Sequence, residues 1–321
     1  MSRFLKSTAT LAAVSLGSLK FLEQYHKYSA ARVSNTWNNE EHVASSENSI
    51  RVYTLGSTAA KRKVILVHGI GHSSVSMASM GEHIHQSTGA TVIRYDRPGY
   101  GNSRFLSPEP RSLQQFVTEL GELLEKYTSD DDEVTIIGHS LGGLIARLAR
   151  EDYDHREDIS VVMLDPTHPR EAATDRSKRL GMVLAGQELD RRILLSYFGG
   201  ELLDASIGKL YGRSSADRYE NAAHAERFTA RNVRATHKET EAVFGLLFNG
   251  KYVDVPNIRP GIFVVASEKS NSLTGSEGLL REYATSKNTY RTIQGSDHES
   301  MLYNSTTIQH IVAILERRLP H

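Results

Sequence analysis

The residues best suited to chemistry lie in the run Thr135-Ile136-Ile137-Gly138-His139-Ser140-Leu141-Gly142-Gly143. A short apolar stretch ends in Gly-x-Ser-x-Gly and passes into Leu144-Ile145-Ala146-Arg147-Leu148, which has helical composition. That pattern presents a serine on a sharp strand-to-helix turn, with its hydroxyl exposed at the strand's carboxyl end. The glycines let neighbouring backbone approach a turn that larger side chains would block. Ser140 is therefore a candidate nucleophile, and the amide of Leu141 is a candidate donor to an oxyanion. A serine hydroxyl is a poor nucleophile at neutral pH, so an imidazole must take its proton during attack and return it to the leaving group. The chain holds 14 histidines, and a histidine taken at random serves packing or the surface more often than catalysis. There is no cysteine, which removes thiol nucleophiles, thiolate metal sites and disulfides together.

Such a turn needs a sheet to carry it. Strand-like runs occur at Ile50–Leu55, Lys63–Val67, Ala90–Tyr95, Glu133–Ile137, Ile159–Leu164, Gly261–Ala266 and Thr289–Ile293. Helical patterns lie between and after them, at Val75–Ser87, Leu113–Tyr127, Leu141–Asp152, Gly275–Ala284 and Ser300–Arg318. Near-continuous apolar strands alternating with helices indicate a mostly parallel sheet covered on both faces, whose chemistry sits at the strands' carboxyl ends. Between Asp165 and Gly261 the alternation stops, and the segment shows helical periodicity, as in Arg191–Phe198 and Glu241–Phe248. A structureless loop of that length is improbable in a compact domain, so 166–256 reads as a helical insertion over the active edge of a core formed by 50–165 and 257–321.

Composition limits the classes of partner. The chain has 321 residues, 39% of them hydrophobic, enough for one large domain with an insertion. Lys plus Arg equals Asp plus Glu at 38 each, so no net field draws the chain to nucleic acid. Residues 1–49 differ from the rest. Arg3 and Lys6 precede the weakly apolar Leu11–Leu19, and no acidic residue occurs before Glu23. This reads as a targeting or anchor segment, or else as an amphipathic surface helix, followed by a polar linker from Asn35 to Ser49. The former implies an exported or membrane-associated protein, the latter a cytoplasmic one. Asp130-Asp131-Asp132-Glu133 reads as a solvated loop, since four consecutive acids cannot all face one ion. Arg170, Arg176, Lys178, Arg179, Arg191 and Arg192 are interleaved with acids and read as mixed-charge surface.

Several separately placed motifs resemble the α/β-hydrolase family with a helical cap, from about Ile50 to the C-terminus. His68-Gly69-Ile70-Gly71-His72-Ser73 follows the second apolar strand, where the family carries its oxyanion loop. Asp96-Arg97-Pro98-Gly99-Tyr100-Gly101-Asn102-Ser103 matches its D-x-x-G-x-G-x-S segment, and Gly295-Ser296-Asp297-His298 lies near the C-terminus. The resemblance implies a mostly parallel sheet with helices on both faces and a cap inserted after the sixth strand. It assigns the base to His298, a second oxyanion donor to the Ile70 amide, and organising roles to His68 and His72. Asp96 is expected to fix a turn, and His139 to point to the other side of the elbow in a structural role. The family's acid usually follows the strand read as Gly261–Ala266. Here that position is Ser270, which departs from the pattern. Two replacements are available: Asp165 at the end of the preceding strand, where part of the haloalkane dehalogenase group carries its acid, and Glu268. Asp165 is favoured because a strand end holds it rigidly.

The chemistry this implies is cleavage of an ester or related acyl bond through an acyl-enzyme, on a small-molecule or lipid acyl substrate, as in carboxylesterases and lipases. Serine at the elbow disfavours dehalogenase and epoxide hydrolase chemistry, which in this family uses aspartate there. Acyltransferase and thioesterase share the same machinery, and a non-catalytic ligand-binding protein on the same scaffold is the alternative from another class. No metal or organic cofactor is implied.

Overall fold

The computed structural model describes residues 37–43, 48–106, 110–152, 159–170, 217–227, 229–249, 261–270, 277–284 and 289–316. Eight strands form one sheet: β1 (Asn38–Val43), β2 (Ser49–Leu55), β3 (Arg62–Val67), β4 (Thr91–Asp96), β5 (Glu133–His139), β6 (Ile159–Leu164), β7 (Ile262–Ser267) and β8 (Tyr290–Ile293). Their order is β1-β2-β4-β3-β5-β6-β7-β8, with β2 antiparallel to both its neighbours and all pairs from β4 to β8 parallel. The helices are α1 (Ala78–Thr88), α2 (Leu113–Tyr127), α3 (Leu141–Asp152), α4 (Arg218–Arg227), α5 (Ala230–Asn249), α6 (Glu277–Arg281) and α7 (Ser305–Leu315).

Alternation along the strands produces two cores. Ile65, Val67, Ile136, Val161, Met163 and Val264 pack with Phe116 and Leu120 of α2 and Leu144 and Ile145 of α3. Val64, Leu66, Ile137, Val162, Leu164 and Val265 face the other way, onto Met80 and Ile84 of α1 and Ile308 and Ile311 of α7. Each such side chain contributes about 1.5–3 kcal/mol by leaving water. Burial on both faces explains why these strands read as continuous apolar runs. Helix α2 starts where its sequence says it should, because Ser112 and Gln115 form a reciprocal capping box.

Two sequence readings need correction. The stretch taken as a polar linker before Ile50 contains β1, which pairs antiparallel with β2 from Asn38 opposite Thr54 to Val43 opposite Ser49. As an edge strand of sequence NNEEHV it lacks the apolar pattern of the central strands, while the preceding Trp37 is buried against α1. The helix expected from Ser300 to Arg318 is divided into a 3-10 turn at Ser300–Leu302 and α7. The Asn304 side chain accepts from the Thr306 and Thr307 amides and so begins a new helix. Residues 1–36 and 44–47, and most of the segment read as a cap, lie outside the described residues. Among the described residues of 166–256 are α4 and α5, and no described helix is long and apolar enough to cross a membrane.

Candidate active site

The parallel strands β3, β5, β6, β7 and β8 bring the loops that follow them to one edge of the sheet. The elbow lies in the middle of this edge. Ser140 has φ 53°, a left-handed conformation that costs a non-glycine residue about 1–2 kcal/mol. Its backbone is tied on both sides: the Ser140 amide donates to Leu164 O at 2.9 Å, and Ser140 O accepts from the Gly143 and Thr167 amides at 3.0 and 3.1 Å. Glycine is required around it. A Cβ on Gly138 would stand 2.2 Å from Gly142 O, and one on Gly142 would stand 2.1 Å from Val67 O. Leu141 opens α3, so its amide is among those that no intrahelical acceptor can reach.

Asp165 follows β6 directly and is the other described non-glycine residue with positive φ, at 46°. Its Oδ2 lies 2.9 Å from His298 Nδ1 and also accepts from Ser267 Oγ at 2.8 Å and Ser270 Oγ at 2.6 Å, while Oδ1 accepts from the Ser267 amide at 3.0 Å. Burial alone would raise the Asp165 carboxyl. The hydrogen bond and charge of His298, followed by the Ser270 hydroxyl and Ser267 amide, outweigh that and lower it to about 2. The acid is 1% exposed and the imidazole 46%, so one end of the pair is fixed and the other is accessible. With Nδ1–H directed at the carboxylate, Nε2 is left as the basic nitrogen.

Glu268 stands elsewhere. Its Oε2 accepts from the Gly295 amide at 2.7 Å, which braces the loop that carries His298. Asp297 is likewise occupied, with the Ser300 amide at 2.8 Å and Lys269 at 3.1 Å. Ser270, where the family pattern would have an acid, is instead a donor to Asp165. Sequence reasoning missed this role of Ser267 and Ser270. The signal available was two hydroxyls three residues apart at the end of a strand next to Asp165.

The loop His68–Ser73, expected to carry an oxyanion donor, is held by several groups. His68 Nδ1 lies 2.8 Å from Gly69 O and must donate to it, while Nε2 accepts from the Arg97 amide at 3.2 Å. Both nitrogens are thus used by the neutral ring, in keeping with burial and the Arg97 charge, which depress its pKa. His72 Nε2 lies 3.7 Å from Glu299 Oε1, a carboxylate also paired with Arg227 of α4. His139 is structural, as expected, but it points toward His298 and not away from it. Its ring lies against that of His298, with centroids 4.6 Å apart, and its Nε2 lies 2.7 Å from His298 O. Because β5 ends at His139 and the His298 loop lies over the same edge, this side chain braces the backbone at His298. Asp96 meets expectation as a turn-fixing residue, accepting from the Ser74 amide at 2.9 Å and the Asn102 amide at 3.2 Å. Arg97 and Glu239 were not anticipated as a pair: they form a buried salt bridge, 2.5 Å from Nε to Oε1, against the carbonyls of His68 and Gly69. Nothing in the local sequence around either residue identifies a partner 142 positions away. Among the described residues no group of three or more His, Asp or Glu side chains could hold a metal ion.

A family model described as "Alpha/beta hydrolase family" matches residues 64–307. Methylesterase 7 of Arabidopsis thaliana is 25% identical over 197 residues, covering 58% of this chain and 74% of that protein. Human protein phosphatase methylesterase 1 is 30% identical over 101 residues, 31% of this chain and 26% of its own. The chain thus spans about a quarter of that relative's length. Among solved structures, a carboxylesterase of the thaumarchaeon Nitrososphaera gargenis superposes with a TM-score of 0.64 at 18% identity, over 87% of this chain and all of that one. A putative epoxide hydrolase from Pseudomonas aeruginosa superposes with a TM-score of 0.69 at 16% identity, over 88% and 96%.

Proposed function

The chain belongs to the α/β-hydrolase family, and we propose that it is a serine hydrolase of ester or related acyl bonds. In this reading Ser140 Oγ attacks the acyl carbon while His298 Nε2 takes its proton. Asp165 holds the imidazole in the right tautomer and stabilises its positive charge. The amides of Ile70 and Leu141 stabilise the oxygen that becomes negative. As the tetrahedral intermediate collapses, the bond from carbon to the leaving oxygen breaks and His298 returns the proton to the alcohol. Water then attacks the acyl-enzyme with the same base, releasing acid and regenerating the Ser140 hydroxyl.

The observation that carries this reading is the buried Asp165 carboxylate 2.9 Å from His298 Nδ1, on the same sheet edge as a serine held at φ 53°. It favours Asp165 over Glu268 as the acid, because Glu268 is engaged with the Gly295 amide. We read α4 and α5 as the described part of a cap comprising 166–256. The same machinery would serve a thioesterase or an acyltransferase. Because several relatives are named methylesterases, methyl esters of carboxylic acids are the first substrates to try.

Full-length protein should be labelled by a fluorophosphonate at Ser140 and should hydrolyse p-nitrophenyl acyl esters. Ser140→Ala should lose labelling and at least about 10⁴-fold in kcat. A folded wild-type protein that is neither labelled nor active would overturn the hydrolase reading in favour of a binding protein on this scaffold.

A further inference from the structure

On the hydrolase reading, we infer that Arg97, clamped by Glu239 of α5, is a positioning residue that aims the Ile70 amide at the substrate oxygen and makes the oxyanion hole depend on the seating of α5. The argument begins with the guanidinium. Its Nη1 donates to His68 O at 2.5 Å and its Nη2 to Gly69 O at 3.0 Å, while Nε and Nη2 meet the two Glu239 oxygens at 2.5 and 3.0 Å. The pair is 0% and 1% exposed. One planar fork therefore takes hold of two consecutive carbonyls of the oxyanion loop and a carboxylate on a helix. A lysine ammonium, with a single nitrogen, could not span all three.

The peptide plane transmits the effect. No described peptide bond is cis, so in the Gly69–Ile70 unit the N–H is directed opposite to the C=O. With Gly69 O drawn to Arg97 and His68 Nδ1, the Ile70 amide must face away from them. Ser140 is close at hand, since a Cβ on Gly69 would come 3.2 Å from Ser140 Cβ. The next amide, of Gly71, is bound separately: it donates to Tyr100 Oη at 3.1 Å, and that hydroxyl donates to Glu239 Oε2 at 2.8 Å. Arg97 and Tyr100, which hold the Gly69 carbonyl and the Gly71 amide, thus converge on Glu239.

Glu239 is in turn set by its helix. Asn232, Thr236 and Glu239 recur at helical spacing on one face of α5, and each touches the base of the loops: Asn232 Oδ1 accepts from the Gly101 amide at 3.2 Å, and Thr236 Oγ1 lies 3.4 Å from Tyr100 Oη. A shift of α5 would move the carboxylate, the guanidinium and the two carbonyls together. Stability is a poor explanation for such a pair, because desolvation of two charges largely offsets their attraction.

The test uses the full-length protein with Arg97→Lys, Glu239→Gln and Tyr100→Phe, each scored by kcat per titrated active site, KM, thermal unfolding and inhibition by a trifluoromethyl ketone that forms an anionic adduct on serine. For folded Arg97→Lys we expect kcat to fall roughly 10- to 100-fold with KM within about threefold of wild type. Ketone affinity should weaken by a similar factor. Tyr100→Phe, which removes one hydroxyl, should give a smaller change of the same kind and serves if Arg97→Lys does not fold. Unchanged kcat per active site and unchanged ketone affinity, whatever happens to stability, would overturn the inference while leaving an active wild type. An inert wild type would instead remove the hydrolase reading on which it rests.

Discussion

The carboxyl ends of β5 and β6 are neighbours in one sheet, and both force a non-glycine residue to positive φ, yet they are built by opposite means. At β5 the accommodation is steric and local: Gly138 and Gly142 leave room that a single Cβ would close to 2.2 or 2.1 Å. At β6 it is polar and remote. The Asp165 side chain is satisfied by Ser267, Ser270 and His298, which lie 102, 105 and 133 residues further along the chain. A sharp turn bearing a neutral hydroxyl requires space, and space is encoded beside it. A buried carboxylate requires donors, and those can come from any part of the chain that the sheet brings near.

On the proposed hydrolase reading, the sharpest way to break this comparison is to test which acid serves His298. Asp165→Asn keeps the shape and removes the charge, and it should lower kcat by about 10⁴-fold in a folded protein, because the imidazole loses both its tautomer bias and its counter-charge. Glu268→Gln should leave kcat within about threefold, since that carboxylate is engaged by the Gly295 amide and not by His298. Steady-state hydrolysis of a p-nitrophenyl ester by both variants decides the matter. Loss of activity in Glu268→Gln with a normal Asp165→Asn would reverse the assignment and make the β6 end a mere turn.

The β5 end should break through stability. A methyl group on residue 142 meets the carbonyl oxygen of Val67, a backbone atom of the central strand that cannot swing aside. Gly142→Ala should therefore destabilise the fold by about 3 kcal/mol, measured by urea denaturation. It should also move Leu141 and lower the activity of what remains folded. A variant with wild-type stability would mean that the elbow tolerates bulk and that its glycines serve another purpose.

The same contrast explains what could be read from the chain alone. The runs Lys63–Val67 and Ile159–Leu164 correspond to β3 and β6 because strands buried on both faces must be apolar throughout. The Ser140 turn was legible because its steric requirements fall within five residues. β1 was not, because an exposed edge strand may carry Asn38-Asn39-Glu40-Glu41 without cost to the core. The proposed acid was half-legible: Asp165 is an ordinary Asp-Pro in sequence, and only its position at a strand end suggested a role. Ser270 looked like a missing acid until β7 was placed beside β6, where it becomes a donor to Asp165. The partnership of Arg97 with Glu239 had no local pattern at all, since it depends on where α5 rests.

The smallest expected effect is at Ser270, and it bears directly on the remote construction of the β6 end. Asp165 is held at about 2 in the folded protein, below the 3.9 typical of an unfolded aspartate. Its ionised form thus adds stability above about pH 4, and that contribution is lost as the pH falls from 4 toward 2. Ser270→Ala removes the 2.6 Å hydrogen bond to Oδ2, so the folded carboxyl should rise toward its unfolded value. The variant should be less stable than wild type by about 1 kcal/mol at neutral pH. Its stability should also decline less steeply between pH 4 and pH 2, so that the two curves converge in acid. Denaturant unfolding at graded pH measures both features. Parallel curves would mean that the lost hydroxyl acted only through packing, and that the carboxylate at the β6 end is kept ionised by His298 and the Ser267 donors without it.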